Sequence, residues 1–186
     1  MPFGSVFLAV IVSAVAVFIG SSVIHMALKY HRADVTPLPG EEAIREALGK
    51  SGAAPGFYVT PYCSDHKQMK EPAMVEKYQK GPIAMITVLP NGAPAMGKYL
   101  GLWFLFTVLV SFVCGYVARV TLHPGADGMT VMRVTGTVAF AAYGLSHVSD
   151  SIWKAQPWGN TLRALLDALI YCLITAFVFK ALWPAA

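Results

Sequence analysis

Apolar and polar positions separate along this chain into long blocks. Residues 3–28 carry no charge and are almost all apolar, and residues 99–118 are again uncharged. Between these blocks charges crowd together: 16 of the 24 Asp, Glu, Lys and Arg residues lie between Lys29 and Lys98. An apolar run of about 20 residues matches the roughly 30 Å hydrocarbon core of a bilayer, so each block predicts a transmembrane helix. Two more spans are predicted near 132–149 and 162–183. The first of these has 16 uncharged residues between Arg133 and Asp150, with His147 interrupting its apolar end. The second carries Asp167 one turn in and Lys180 near its end, where a lysine can snorkel to the interface. Trp103, Trp153, Trp158 and Trp183 fall near predicted span ends, as an aromatic belt requires. The expected fold is an all-α membrane protein: helix one at 3–28, a soluble α+β insertion at 29–98, and helices two to four within 99–183. The first run exceeds the roughly 7–15 residues of a signal-peptide core and no Lys or Arg precedes it, so it reads as a retained anchor.

The polar block has its own pattern. Pro39-Gly40 opens a short helix over 41–50, with Ala43, Ile44, Ala47 and Leu48 as its apolar stripe. Glu41 with Arg45 and Glu46 with Lys50 are i,i+4 pairs in the favourable order. Residues 57–60 read as a strand, Pro72 starts a second helix ending near Gly81, and the Ile- and Val-rich run 83–89 is a second strand closed by Pro90-Asn91-Gly92. So small a unit cannot bury a full core alone, so it is expected to pack on the helix ends or on a partner.

Composition sharpens the class. Hydrophobic residues make up 56% of the 186 and charged residues only 13%, against about 25% charged in soluble domains. Mean hydropathy is +0.56. The net charge of +4 contains no dense basic run, which excludes a nucleic-acid footprint. Basic residues instead sort by loop: 11 Lys and Arg fall in 29–98 and 150–163, against Arg119, Arg133 and Lys180 elsewhere. The positive-inside rule then puts 29–98 in the cytoplasm and both termini outside. The three cysteines form no CxxC pair and no even framework.

Topology brings distant polar residues to one depth. His25 ends the first span, His147 and Asp150 lie three apart at the same end of the third, and Asp167 sits one turn into the fourth. Two imidazoles and two carboxylates suit a divalent metal or a proton-handling cluster. The plainer reading is a set of interfacial groups hydrogen-bonded to each other and to Arg163, His31 or water, which ties the bundle together. Cys63, His66 and Met69, with Met74 nearby, offer soft donors for copper(I), although their spacing matches no established metal motif and Met74 reads more simply as helix core. No cofactor is predicted beyond these two metal options. Ala16 with Gly20, Ser111 with Gly115 and Ala142 with Ser146 are small-xxx-small pairs that let helices approach closely.

His31-Arg32-Ala33-Asp34, Pro55-Gly56-Phe57-Tyr58, Lys80-Gly81-Pro82 and Leu182-Trp183-Pro184 give the chain a likeness over most of its length. It resembles an uncharacterised group of small four-helix bacterial inner-membrane proteins. The resemblance implies the layout and brings no activity or site residue.

No HExxH, GxSxG or Walker A motif occurs; Ser149 and Ser151 beside His147 and Asp150 could supply a nucleophile and base, but neighbours on one helix make no triad without geometry, so a membrane enzyme stands behind the non-enzymatic readings. The leading expectation is a non-enzymatic membrane subunit or an assembly or scaffold protein of a larger complex. Its partners are the lipid bilayer and other membrane subunits or further copies of itself. The alternative is an oligomeric small-solute or ion transporter or channel with the His/Asp cluster on its path. The two halves of the chain lack the shared hydropathy pattern of an inverted-repeat transporter.

Overall fold

The computed structural model describes residues 3–185. The chain forms two compact units, residues 1–36 with 95–186, and residues 37–94. The smaller unit thus runs from 37 to 94, and residues 29–36 group with the long helices.

The larger unit holds four long helices: α1 (Phe7–Ala27), then, after the smaller unit with its helices α2 (Glu41–Ser51) and α3 (Pro72–Lys80), α4 (Met96–Thr121), α5 (Gly128–Trp153) and α6 (Trp158–Ala181). Among the described residues three helices are long and apolar enough to cross a membrane, Gly4–Ala27, Met96–Thr121 and Trp158–Ala181. At 1.5 Å per residue the 24 to 26 residues of each reach about 36–39 Å, beyond the hydrocarbon core. α5 is as long as α4, at 26 residues, but its Thr, Gly, Ser, Tyr and His residues leave it less apolar, so the fourth expected span does not qualify by composition. α6 begins four residues before the expected 162, which sets Asp167 more than two turns into the helix and not one.

Cross-helix contacts define an up-down-up-down arrangement. Ser13 meets Ser111 at 3.3 Å, and the Trp103 indole N–H donates to Ser21 at 2.8 Å, so α1 and α4 run antiparallel. The Cys114 thiol donates to the Thr135 carbonyl, and Phe106 packs edge-on against Tyr143, which pairs α4 with α5. Gly136 lies against Ala176, Gly144 against Ala168, and Ser151 is hydrogen-bonded to Thr161, so α6 returns along α5. Gly20 against Ile174 closes the ring between α6 and α1.

Side chains are distributed as lipid solvation demands. Ser13, Thr107, Ser111, Thr135 and Thr175 are fully buried, whereas Leu8, Ile19, Leu102, Leu105 and Phe177 are more than half exposed. In water this arrangement would forfeit the hydrophobic effect. In a bilayer the exterior is already solvated by acyl chains, and association relies on close packing and interhelical hydrogen bonds. A Cβ on Gly20 would lie 2.9 Å from Ile174 Cδ1 and one on Gly115 2.8 Å from Val10 Cγ2, so two of the small residues singled out in the sequence sit where helices touch. α5 starts on a side-chain cap: Asp127 accepts from the backbone N–H groups of Met129 and Thr130, both at 3.0 Å, and these bonds hold its carboxyl below the usual range.

In the smaller unit, α2 is bracketed by Gly40 and Gly52 in the left-handed region, with Glu41 and Glu42 in its first turn and Lys50 in its last, matching the helix dipole. Glu46 pairs with Lys50 as expected, but Arg45 turns to Glu42 at 2.8 Å instead of Glu41, one position closer along the helix. Pro72 occupies the first turn of α3. Strands β1 (Gly56–Thr60) and β2 (Ala84–Val88) pair antiparallel with Tyr58 opposite Ile86. Every residue from 37 to 94 is at least partly exposed. The apolar stripe of α2 and this two-stranded sheet therefore form no buried core of their own, consistent with the expectation that the unit is too small to be self-sufficient.

Candidate metal centre

The site is built where the first helix stops. α1 delivers His25 in its last turn, and the chain leaves the helix at Leu28 in an extended conformation. A single 3-10 turn, Tyr30–Ala33, then folds the chain back against α6. Two polar residues of α6 hold this strap. The Asn160 side-chain amide donates to the Asp34 carbonyl at 3.0 Å, and Arg163 Nε donates to the Asp34 carboxylate. Arg163 is oriented in turn by Asn160 Oδ1 at 2.7 Å.

The strap and the last turn of α1 place three groups around one buried carboxylate. Asp167 is 5% exposed, an arrangement that is costly in a membrane helix unless the charge is partnered. The Tyr30 hydroxyl donates to Asp167 Oδ1. His31 Nε2 lies 2.9 Å and His25 Nε2 3.8 Å from Asp167 Oδ2. His31 Nδ1 lies 2.6 Å from Asp34 Oδ2. Burial pushes the Asp34 carboxyl upward, but hydrogen bonds from His31 and Arg163 outweigh it and hold the group below the usual range. Burial, then the bond to Asp167, push the Tyr30 phenol well above its ordinary value, so it stays a donor.

His25, His31 and Asp167 each offer one ligand atom, and these atoms all lie within 4.8 Å of one another. Bonds of roughly 2.0–2.1 Å in a tetrahedral site put donors about 3.3 Å apart, a value bracketed by the 2.9 and 3.8 Å separations from Asp167. The surroundings match those of metal ligands. Asp34 takes the Nδ1–H of His31 and leaves Nε2 as the ligand nitrogen, as second carboxylates do around metal-bound imidazoles. Two imidazoles and one carboxylate suit first-row divalent ions such as Zn2+ or Fe2+ and leave at least one coordination position for another ligand.

The three donors line a cavity of about 470 Å³ together with Trp103, Phe106, Tyr143, His147 and Tyr171. Of the four residues the sequence grouped, His25 and Asp167 come together here. His147 lines the chamber without joining the three donors, and its carbonyl accepts from Thr161 at 3.3 Å. Asp150 is drawn away: it pairs with Lys154 at 2.7 Å and borders a neighbouring cavity of about 320 Å³. Those two side chains lie on α5, while the donors come from α1, the strap and α6.

His31 is the donor that the sequence grouping lacked, and Tyr30 and Asp34 are the supports it did not use. A matched acid three residues after a juxtamembrane histidine was the available signal. In the copper(I) candidate, the Cys63 thiol donates to the Asp65 carbonyl at 3.0 Å and lies 3.9 Å from Gln68 Oε1. Among the described residues the converging group of His, Cys and acidic donors is His25, His31 and Asp167. Comparison with family models, with curated proteins and with solved structures finds no match for this chain.

Proposed function

We propose that this is a four-span membrane protein that binds one divalent transition-metal ion between His25, His31 and Asp167. One observation carries the reading: donors from α1, the strap and α6 converge on a single point, and the third atom of that point, Nε2 of His31, is oriented by a second carboxylate. A purely structural network would need only to satisfy Asp167, which Tyr30 and His31 already do. Protein purified in mild detergent, stripped with chelator and re-equilibrated with Zn2+ or anaerobic Fe2+, is expected to retain about one ion per chain after desalting. Retention no greater than that of a His25→Ala/His31→Ala double variant would overturn the assignment.

α5 is counted as the fourth span because it runs antiparallel to α4 and α6 along its whole length, from Gly128 beside Lys180 to Ser151 beside Thr161. A helix so flanked needs less apolarity than one facing lipid all round. The metal end of the bundle is assigned to the cytoplasm, and both termini to the outside, on the 11-to-3 split of basic residues. The bacterial inner membrane is assigned on the likeness noted in the sequence. Cys63, partly exposed in the soluble unit, reports on this directly. In intact cells an impermeant maleimide is expected to leave it unlabelled, with labelling only after permeabilisation. Labelling of intact cells would invert the topology.

A second reading, a non-enzymatic subunit or assembly protein of a larger membrane complex, is favoured by the soluble unit. Its helices carry apolar residues such as Ile44 and Val75 at the surface, and none of its residues is buried. The two readings are compatible: a metal-binding subunit is one form of the second. The transporter alternative draws on the same cluster, with the metal as cargo.

A further inference from the structure

The strap is held in place mainly by side chains. Its own backbone bonds are local: the Arg32 N–H donates to the Lys29 carbonyl at 3.1 Å and the Asp34 N–H to the His31 carbonyl at 3.0 Å. Tyr30, His31 and Asp34 are partly buried, whereas Lys29, Arg32, Ala33, Val35 and Thr36 are exposed. Those three residues reach α6 at Asn160, Arg163 and Asp167, and every one of these contacts is polar. The His25 side chain is 51% exposed, so water reaches this end of the bundle. Hydrogen bonds that compete with water each add little net stability, so the strap is held loosely for a segment that carries a ligand.

A metal ion changes that balance. His25 and Asp167 are built into α1 and α6, whereas His31 is the one donor outside a long helix. An ion held by all three is bound only while the strap lies on α6. A ligand that binds one of two states stabilises that state in proportion to its excess over Kd. The strap also leads directly into the smaller unit, which begins at Pro37. Undocked, residues 29–36 are a tether that spans at most about 29 Å.

We propose that residues 29–36 form a metal-operated latch: the ion closes the strap onto α6 through His31, and its loss releases the tether that joins α1 to the smaller unit. The proposal rests on the metal reading and adds the regulation built on that site. Asp34 is the catch. It takes His31 Nδ1 on one side and accepts from Asn160 and Arg163 on the other, so the residue that aims the ligand nitrogen is also the one that fixes the strap.

The test is limited trypsin digestion of the full-length protein in detergent, in chelator or in Zn2+, with fragments read by mass spectrometry. Lys29 and Arg32 put two exposed cleavage sites on the strap, and the exposed Lys67 and Lys70 of the smaller unit serve as the internal reference. At a free Zn2+ concentration 100 times Kd, cleavage at Lys29 and Arg32 is expected to slow by about 100-fold relative to the reference sites. In His31→Ala, Zn2+ is expected to give no such protection. Asn160→Ala removes a strap contact without touching a donor. It is expected to speed strap cleavage in chelator by about tenfold, and Zn2+ should slow it again. Strap cleavage no faster in chelator than in wild-type protein shown to retain Zn2+, or protection of His31→Ala equal to the wild type, would overturn the latch while leaving the metal site standing. Failure of the wild-type protein to retain Zn2+ would overturn both.

Discussion

An Asp167→Asn variant is expected to lose its divalent metal, with affinity falling by at least about 100-fold, while the protein still inserts and folds. Removing a residue that merely orients a ligand typically costs 10–100-fold in metal affinity, and Asp167 is itself a donor and the only anionic one of the three. Asparagine keeps the shape and an oxygen that can accept from Tyr30, so the strap retains one of its anchors on α6. The Asn160 and Arg163 contacts to Asp34 are untouched. Asp34→Asn is expected to fall in the 10–100-fold range, because Asp34 orients His31 and anchors the strap through Arg163 without being a donor itself. Lys180→Gln, on α6 at the opposite end of the bundle and beside Gly128, should bind as the wild type does. The measurement is competition against a metal-sensitive dye. Wild-type affinity in Asp167→Asn would reduce the cluster to a structural network.

Replacing Gly115 with leucine is expected to give the largest loss of bundle stability, about 1–3 kcal/mol, read as detergent-resistant structure lost at lower temperature or lower SDS fraction. A Cβ at this position already meets Val10 Cγ2 at 2.8 Å, with the Phe179 ring at 3.5 Å behind it. Val10 is β-branched and 2% exposed, and Phe179 is fully buried, so neither can swing aside. In lipid the loss is a packing loss, since moving an apolar group between helix contact and acyl chains changes its solvation little. Gly101 is the internal control on the same helix. Nothing lies within 4 Å of a Cβ there, so Gly101→Ala should be neutral or mildly stabilising through helix propensity. If Gly115→Leu unfolded like the wild type, α1 and α4 would not pack through this glycine.

The sequence by itself determined the class of the protein and most of its elements. Charge-free runs of membrane length can be read without tertiary information, because every backbone polar group in a bilayer must be satisfied within its own helix. Local signals also placed the soluble elements. Gly40 precedes α2, Pro72 starts α3, and the two runs read as strands became β1 and β2, because caps and turn residues act over one or two positions. At α5, hydropathy was ambiguous for a physical reason: the side packed on other helices buries Thr135, Gly144 and Ser151, which lower its apolarity without facing lipid.

Tertiary structure decided which polar residues meet. Depth in the membrane is readable from sequence, but azimuth around each helix is not, so His25 and Asp167 converged while Asp150 at similar expected depth turned outward to Lys154. The decisive donor, His31, lies beyond the end of the helix, where depth arguments stop. Its position depends on one 3-10 turn and on Asn160 and Arg163, more than a hundred residues away, capturing Asp34. A carboxylate held by a side chain from a distant helix leaves no periodic trace in either segment. The cavity likewise exists only because Trp103, Tyr143 and Tyr171, on three different helices, line one space with His25, His31 and Asp167.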